Sequence, residues 1–157
     1  MTPAELITRK LKAAIEAAGA TIPVYSLLLE ALEGDRHETP SSGIGINVHV
    51  SGQLDEPLPH YTFNARIGLA VSVDDDKGGN IFVENYNALW AVFDYLARGD
   101  NCTALGDEAD DLDAGAAHIF AVDGFQITDG EDPDYQTDEN GGAWSTSFAA
   151  TITGRAT

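Results

Sequence analysis

From Gly43 onward the apolar residues of this chain fall on every second position, and that period restricts the fold more than any other feature of the sequence. Ile44, Ile46, Val48 and Val50 alternate with Gly45, Asn47 and His49. After a connection from Gly52 to Pro59, the pattern resumes with Tyr61, Phe63, Ala65, Ile67, Leu69, Val71 and Val73. Successive side chains of a strand point to opposite faces, so these runs predict two strands with one greasy face each, paired antiparallel. Ile119, Ala121, Phe125 and Ile127 make a third alternating run, interrupted at Asp123 and Gly124 in the manner of a bulge. Trp144, Thr146, Phe148, Ala150 and Ile152 make a fourth.

Two segments carry helical spacing instead. Thr2 and Glu5 form a T-x-x-E capping box, Pro3 suits the first helical position, and Leu6, Leu11 and Ile15 form a stripe that ends before Gly19. This predicts a helix over residues 3–18. Asn80 is placed to cap a second helix, in which Phe82, Tyr86, Leu89, Phe93 and Leu96 recur at steps of three and four until Gly99. Between Ile22 and Leu32 two readings stay open: Pro23 favours an extended start, whereas Leu27, Leu28, Leu29 and Leu32 suit a short buried helix. The expectation is an α+β fold, a single mostly antiparallel sheet of about four to five strands with two helices packed on it. With 157 residues and 43% apolar content, the chain reads as one domain over 1–157, able to bury roughly 70% of its unfolded surface.

Charge sets the next limits. The chain carries 26 acidic against 8 basic side chains, a net charge of −18. The acids concentrate in three loop-like stretches near 74–80, 106–115 and 129–142. Such a balance argues against tight nucleic-acid binding and against an anionic membrane, since both attract Lys and Arg. No apolar stretch approaches the ~20 residues a membrane span needs, and the N-terminus lacks a hydrophobic signal core. Cys102 stands alone, which excludes a disulfide framework or zinc cluster and fits a reducing compartment.

Residue patterns for chemistry fail in turn. Asp74, Asp75, Asp76, Glu108, Asp110, Asp111 and Asp113 are hard oxygen donors without calcium-loop spacing. Around Asp138, Asn140 and Gly141 only a fragment of that loop appears, with Ser147 where its closing Glu belongs. His37, His49, His60 and His118 are scattered without metal-ligand spacing. Cys102 follows Asp100 and Asn101, a neighbourhood that raises a thiol pKa and weakens a nucleophile. No Gly-x-Ser-x-Gly elbow, Walker loop or dinucleotide fingerprint occurs; Gly43 and Gly45 read as a turn and a strand edge. Trp90 and Trp144 fall on expected buried faces and read as core. The expectation is a protein with no catalytic, cofactor or metal residues.

The layout of a helical start, a central hairpin, an amphipathic helix behind an acidic and glycine-rich loop, and a closing strand over Gly142–Thr153 resembles the tail-terminator and minor-tail proteins of long-tailed bacteriophages and prophages. Residue-level likeness is confined to the Trp-Ser closing strand and to Asn87-Ala88-Leu89-Trp90. The resemblance implies a small subunit of a ring, usually a hexamer, that closes the tail tube and joins it to the head. It implies a homo-oligomer whose partners are the tail tube or a head-tail adaptor protein, located in the virion or the host cytoplasm. Residues 22–42, long and Leu-rich, depart from the family pattern.

Acidity fits a conduit that must pass DNA without holding it, because each basic contact to a phosphate adds sticking free energy. It fits equally a salt-adapted host or plain solubility. The stretch joining the last two strands is the expected partner-contacting element, through Asp129, Glu131, Asp132, Asp134, Asp138 and Glu139, and removal of 131–139 is expected to spare the fold. Two function classes remain: a structural tail or tail-like particle protein, and a stand-alone acidic bacterial binding module.

Overall fold

The computed structural model describes residues 1–34, 39–54, 59–76, 78–107, 119–139 and 141–156. In chain order it contains α1 (Pro3–Ala17), β1 (Val24–Tyr25), α2 (Leu27–Glu33), β2 (Gly43–Leu54), β3 (His60–Ser72), α3 (Ile81–Ala97), a short 3-10 helix (Asn101–Leu105), β4 (Phe120–Gly130), β5 (Asp134–Asp138) and β6 (Gly141–Ala156). The α+β expectation holds, with one sheet. Among the described residues there are six strands instead of four to five and three α-helices instead of two. The additions are β1 and α2, from the ambiguous Leu-rich segment, and β5, from a stretch read as an acidic loop.

The sheet runs β1-β2-β3-β6-β4, with β5 also on β6. All neighbours are antiparallel except β1, which joins β2 in parallel through Val24↔Ile44 and Tyr25↔Gly45. β6 is the spine: from His60↔Arg155 to Ser72↔Ala143 it pairs with β3 without a break. Along its other side β4 and β5 lie end to end, antiparallel to β6. Register shifts interrupt this edge between Val122 and Gly124, where the sequence predicts a bulge, and again between Ile127 and Asp129. From Gly130 to Asp134 the edge advances four positions while β6, from Phe148 to Ser145, advances three, so a third extra residue enters there.

Alternation puts Ile44, Ile46, Val48, Phe63, Ala65, Ile67, Leu69, Val71, Phe148, Ala150 and Ile152 on one buried face. α1 supplies Leu6, Ile7, Leu11 and Ile15 to cover it, and α3 supplies Phe82, Leu89, Val92, Phe93 and Leu96. Phe93 sits at the centre, 5.0 Å from Phe148 and 6.3 Å from Phe125 between ring centroids. Each such side chain, fully buried, contributes about 1.5–3 kcal/mol, so this layer is the main favourable term of the fold. The opposite face carries mostly small or neutral groups, Gly45, Asn47, Asn64, Gly68, Ala70, Ser145, Ser147, Ala149 and Thr151, with Arg66 and Arg155 as its cations. Gly45 makes room there for Tyr25. A Cβ at that position would stand 3.0 Å from the Tyr25 hydroxyl oxygen, whose ring lies over the strand.

Helix boundaries follow the expected chemistry at one end and depart from it at another. Thr2 Oγ1 accepts the Glu5 N–H at 3.2 Å, and α1 ends before Gly19, whose φ of 105° needs glycine. α2 is capped by Ser26, whose hydroxyl accepts the Leu29 N–H at 3.5 Å, and is tied to α1 by Arg9, which bridges Glu5 at 2.9 Å and Glu33 at 3.3 Å. At α3 the expected cap, Asn80, has αR backbone angles and makes no side-chain cap bond. Asp76 replaces it: its Oδ1 accepts the Ile81 N–H at 2.8 Å. Asp75 accepts from the Ser41 and Ser42 hydroxyls, and Asp107 Oδ2 accepts the Phe120 N–H at 2.8 Å. Several of the acids read as loop solvation are thus fasteners of the backbone. Asp76→Ala is expected to lower stability by about 1 kcal/mol in denaturant unfolding. Asn80→Ala is expected to change it by no more than a few tenths, and equal losses would put the cap at the wrong residue.

Candidate interaction surface

The six carboxylates expected to contact a partner do not form one cluster. Asp129 ends β4 beside Gly130, Glu131 and Asp132 lie in the connection, and Asp134 opens β5. Glu139 occupies the turn into β6, and Asp138 is the last residue of β5, its side chain outside the described residues. A strand rises ~3.4 Å per residue. The turn therefore stands well apart from Asp129. Asp134 is engaged locally, its Oδ1 accepting the Tyr135 N–H at 2.9 Å and its Oδ2 the Gln136 side-chain amide at 3.3 Å.

Nor is this stretch a free loop. The Glu131 N–H donates to the Ser147 carbonyl at 2.9 Å, the Thr146 hydroxyl donates to the Glu131 carbonyl at 2.6 Å, and Tyr135 packs on Trp144 at 5.1 Å. Cutting out 131–139 would strip β5 from the spine strand and bare its edge. The expectation that this deletion spares the fold is corrected on that ground; side-chain neutralisation is the appropriate probe. Among the other acidic stretches, Glu108, Asp110, Asp111 and Asp113 lie outside the described residues, as do His37, His118 and Asn140.

What the fold does assemble is an aromatic groove beside the first three carboxylates. Tyr86 and Trp90 of α3 meet Phe148 of β6 at 6.1 and 5.3 Å, and with Ile127, Asp129, Glu131 and Asp132 they line an open groove of about 450 Å³. Trp90, expected in the core, is 42% exposed, and Trp144 is 38% exposed. The reason is angular. The buried stripe of α3 runs through Phe82, Asn85, Leu89, Val92, Phe93 and Leu96, and Trp90 sits on its flank over the sheet edge. Asn85, buried inside that stripe, is a tether: it accepts the Thr21 N–H and donates to the Thr21 hydroxyl, both at 2.9 Å, and donates to the Ile81 carbonyl at 2.7 Å.

A second surface crosses the bare face. The register aligns Gly45, Gly68 and Ser147 side by side, making a shallow trough of about 310 Å³ walled by Tyr25, Leu27 and Leu28, with Arg66 at its end. Arg66 has no ion pair or side-chain hydrogen bond among the described residues. On the same face His60 Nε2 lies 3.4 Å from Asp123 Oδ2, and the Thr153 hydroxyl donates to Asp123 Oδ1 at 2.7 Å.

Among the described residues no three His, Cys, Asp or Glu side chains converge to hold a metal ion. Cys102 is buried in the 3-10 helix, and burial pushes its thiol pKa up, with smaller upward contributions from Asp123 and Asp100 and a lowering hydrogen bond from the backbone. Sequence placed the cause mainly in the neighbouring acids; desolvation is the larger one. No described helix is long and apolar enough to cross a membrane.

No family model matches the chain, and no curated protein matches it. Among solved structures, it is similar to a chain in the virion of a native gene transfer agent particle. The two share 12% identity at a TM-score of 0.46, covering 92% of this chain and 94% of that one. At that score the likeness assigns no role.

Because the thiolate form of Cys102 is disfavoured by burial, an aromatic disulfide reagent at mildly alkaline pH is expected to label the native protein far more slowly than the unfolded chain. Native labelling as fast as unfolded labelling would contradict the buried placement.

Proposed function

We propose that the chain is a structural subunit of a phage tail or tail-like particle, acting as a tail-terminator or head-tail joining ring protein. We infer a non-catalytic role with it. The observation that carries this reading is a contact between the two segments on which the family resemblance rests. Asn87–Trp90 of α3 and Gly142–Thr153 of β6 pack together, Trp90 against Phe148 at 5.3 Å, at the flank of the helix-covered layer. The resemblance therefore rests on one packed unit and not on two separated strings.

Two further features support a subunit of an assembly. The sheet face away from α1 and α3 is covered only in part, by Tyr25, Leu27 and Leu28, and beyond Gly45 the outer side of β2 pairs with no described residue. Neighbouring copies joined through different patches form a closed ring when the rotation between them closes. A tail tube or adaptor protein would meet the remaining surface, with the virion as the site of action. Asp129, Glu131 and Asp132, which have no basic partner among the described residues, also favour the second reading, an acidic module that binds a partner alone.

Subunits of charge −18 repel one another. The Debye length falls from about 30 Å at 0.01 M salt to about 8 Å at 0.15 M, so association should strengthen as salt rises. Light scattering across that range is expected to show a multi-subunit species, seen as rings by negative-stain microscopy, that grows with ionic strength. A strict monomer at every salt and protein concentration would overturn the ring and leave the binding module.

A further inference from the structure

The groove between α3 and the β4–β5 edge combines two chemistries that recognise the same kind of ligand. Trp90 presents exposed π surface beside the partly buried Tyr86, and the face of an aromatic ring attracts a cation. Asp129, Glu131 and Asp132 line the same groove and carry no ion pair or side-chain hydrogen bond among the described residues. Among the described residues no Lys or Arg lines it. Ile127, partly buried over Phe148 at the base of the groove, gives an aliphatic stem an apolar bed beneath a charged head. Lys and Arg have that form: an alkyl stem that packs and a cationic end that stays near carboxylates.

Trp90 is also anchored. Its ring stands nearly perpendicular to Phe93 and to Phe148, at 78° and 82°. A half-exposed tryptophan held by three aromatic rings, with carboxylates alongside, is the residue type enriched at binding hot spots.

We propose that this groove is a docking site for a basic segment of another protein, seating an Arg or Lys side chain between Trp90 and the carboxylates of Asp129, Glu131 and Asp132. The proposal rests on the reading that the chain works by docking a partner, and it names the surface and the charge of that partner. Charge complementarity selects the occupant. A second copy of a chain with 26 acids and 8 bases is a poor source of such a segment, whereas a basic stretch of a different protein gains from both the groove and the wider negative field.

The test uses the whole chain, an end-blocked Arg-Leu-Arg peptide and its Gln-Leu-Gln counterpart. The expected result is a shift of the Trp90 indole N–H resonance with the first peptide and none with the second. Trp90→Leu should weaken binding about threefold to fivefold, the range of an exposed cation-π contact. Neutralising Asp129, Glu131 and Asp132 together (D129N, E131Q, D132N) should weaken it about tenfold or more, since each exposed pair contributes up to a fewfold. That surface variant also guards against misfolding of the tryptophan variant. Neutralising Asp74, Asp94 and Asp100 removes the same charge elsewhere and should change affinity less than twofold.

An unmoved Trp90 resonance overturns the proposal. So does equal weakening by the two neutralised trios, which would mean general attraction without a groove. So does a self-associated chain whose Trp90 is covered and indifferent to peptide, which would make a second copy the occupant. Rings that form while Trp90 stays silent refute the groove alone; peptide binding by a chain that never assembles refutes the ring alone.

Discussion

One-sided burial is the constraint on which the molecule depends. Strands β2, β3, β6 and β4 turn almost all their large apolar side chains to a single face, and the fold exists because α1 and α3 cover it. Phe148 marks the point of convergence, paired across the sheet with Ile67 and touching the rings of Tyr86, Trp90 and Phe93. Interiors are close-packed, so a shift of α3 would be felt by all of these rings together. The position of the aromatic groove is consequently fixed by the core. Tyr86 and Trp90 are the rim of the packing that buries Phe93.

The acidic surplus divides into two working populations. Asp75, Asp76, Asp107 and Asp123 accept hydrogen bonds that fasten a loop, start a helix, begin a strand or hold a bulge. These are short-range duties in which a carboxylate serves because it is a strong acceptor for N–H and O–H groups. Asp129, Glu131 and Asp132 have no such duty and stand beside exposed aromatic surface. Net charge alone does not distinguish the two populations.

Much of the architecture was legible from the sequence because long elements repeat their period. β2, β3 and β6 alternate over many residues, α1 opens on the Thr2 cap, and the break at Asp123 and Gly124 foretold the bulge. What escaped was short or set by tertiary contact. α2 spans only Leu27–Glu33, too few residues for a run of leucines to reveal a period. β5 is exposed, so nothing compelled apolar alternation in Asp134–Asp138, and its acids read as a loop. The Asp76 cap was hidden by a closer polar residue, Asn80, whose backbone turned out helical. As for the interaction surface, its carboxylates were readable as exposed charge, but their position beside Trp90 was not. Only the packing of α3 over the sheet edge brings those residues together.

The three insertions along the β4–β5 side carry a last consequence. Each throws the outer hydrogen-bonding groups out of step with any straight strand laid against them, so an intruding chain could form only a few rungs before losing alignment. Fibril-like templating is blocked on that flank. The outer flank of β2 past Gly45 carries a single insertion, at Ser51, so among the described residues Ile46 to Val50 is its uninterrupted stretch, and the two flanks differ in how long a strand each could accept.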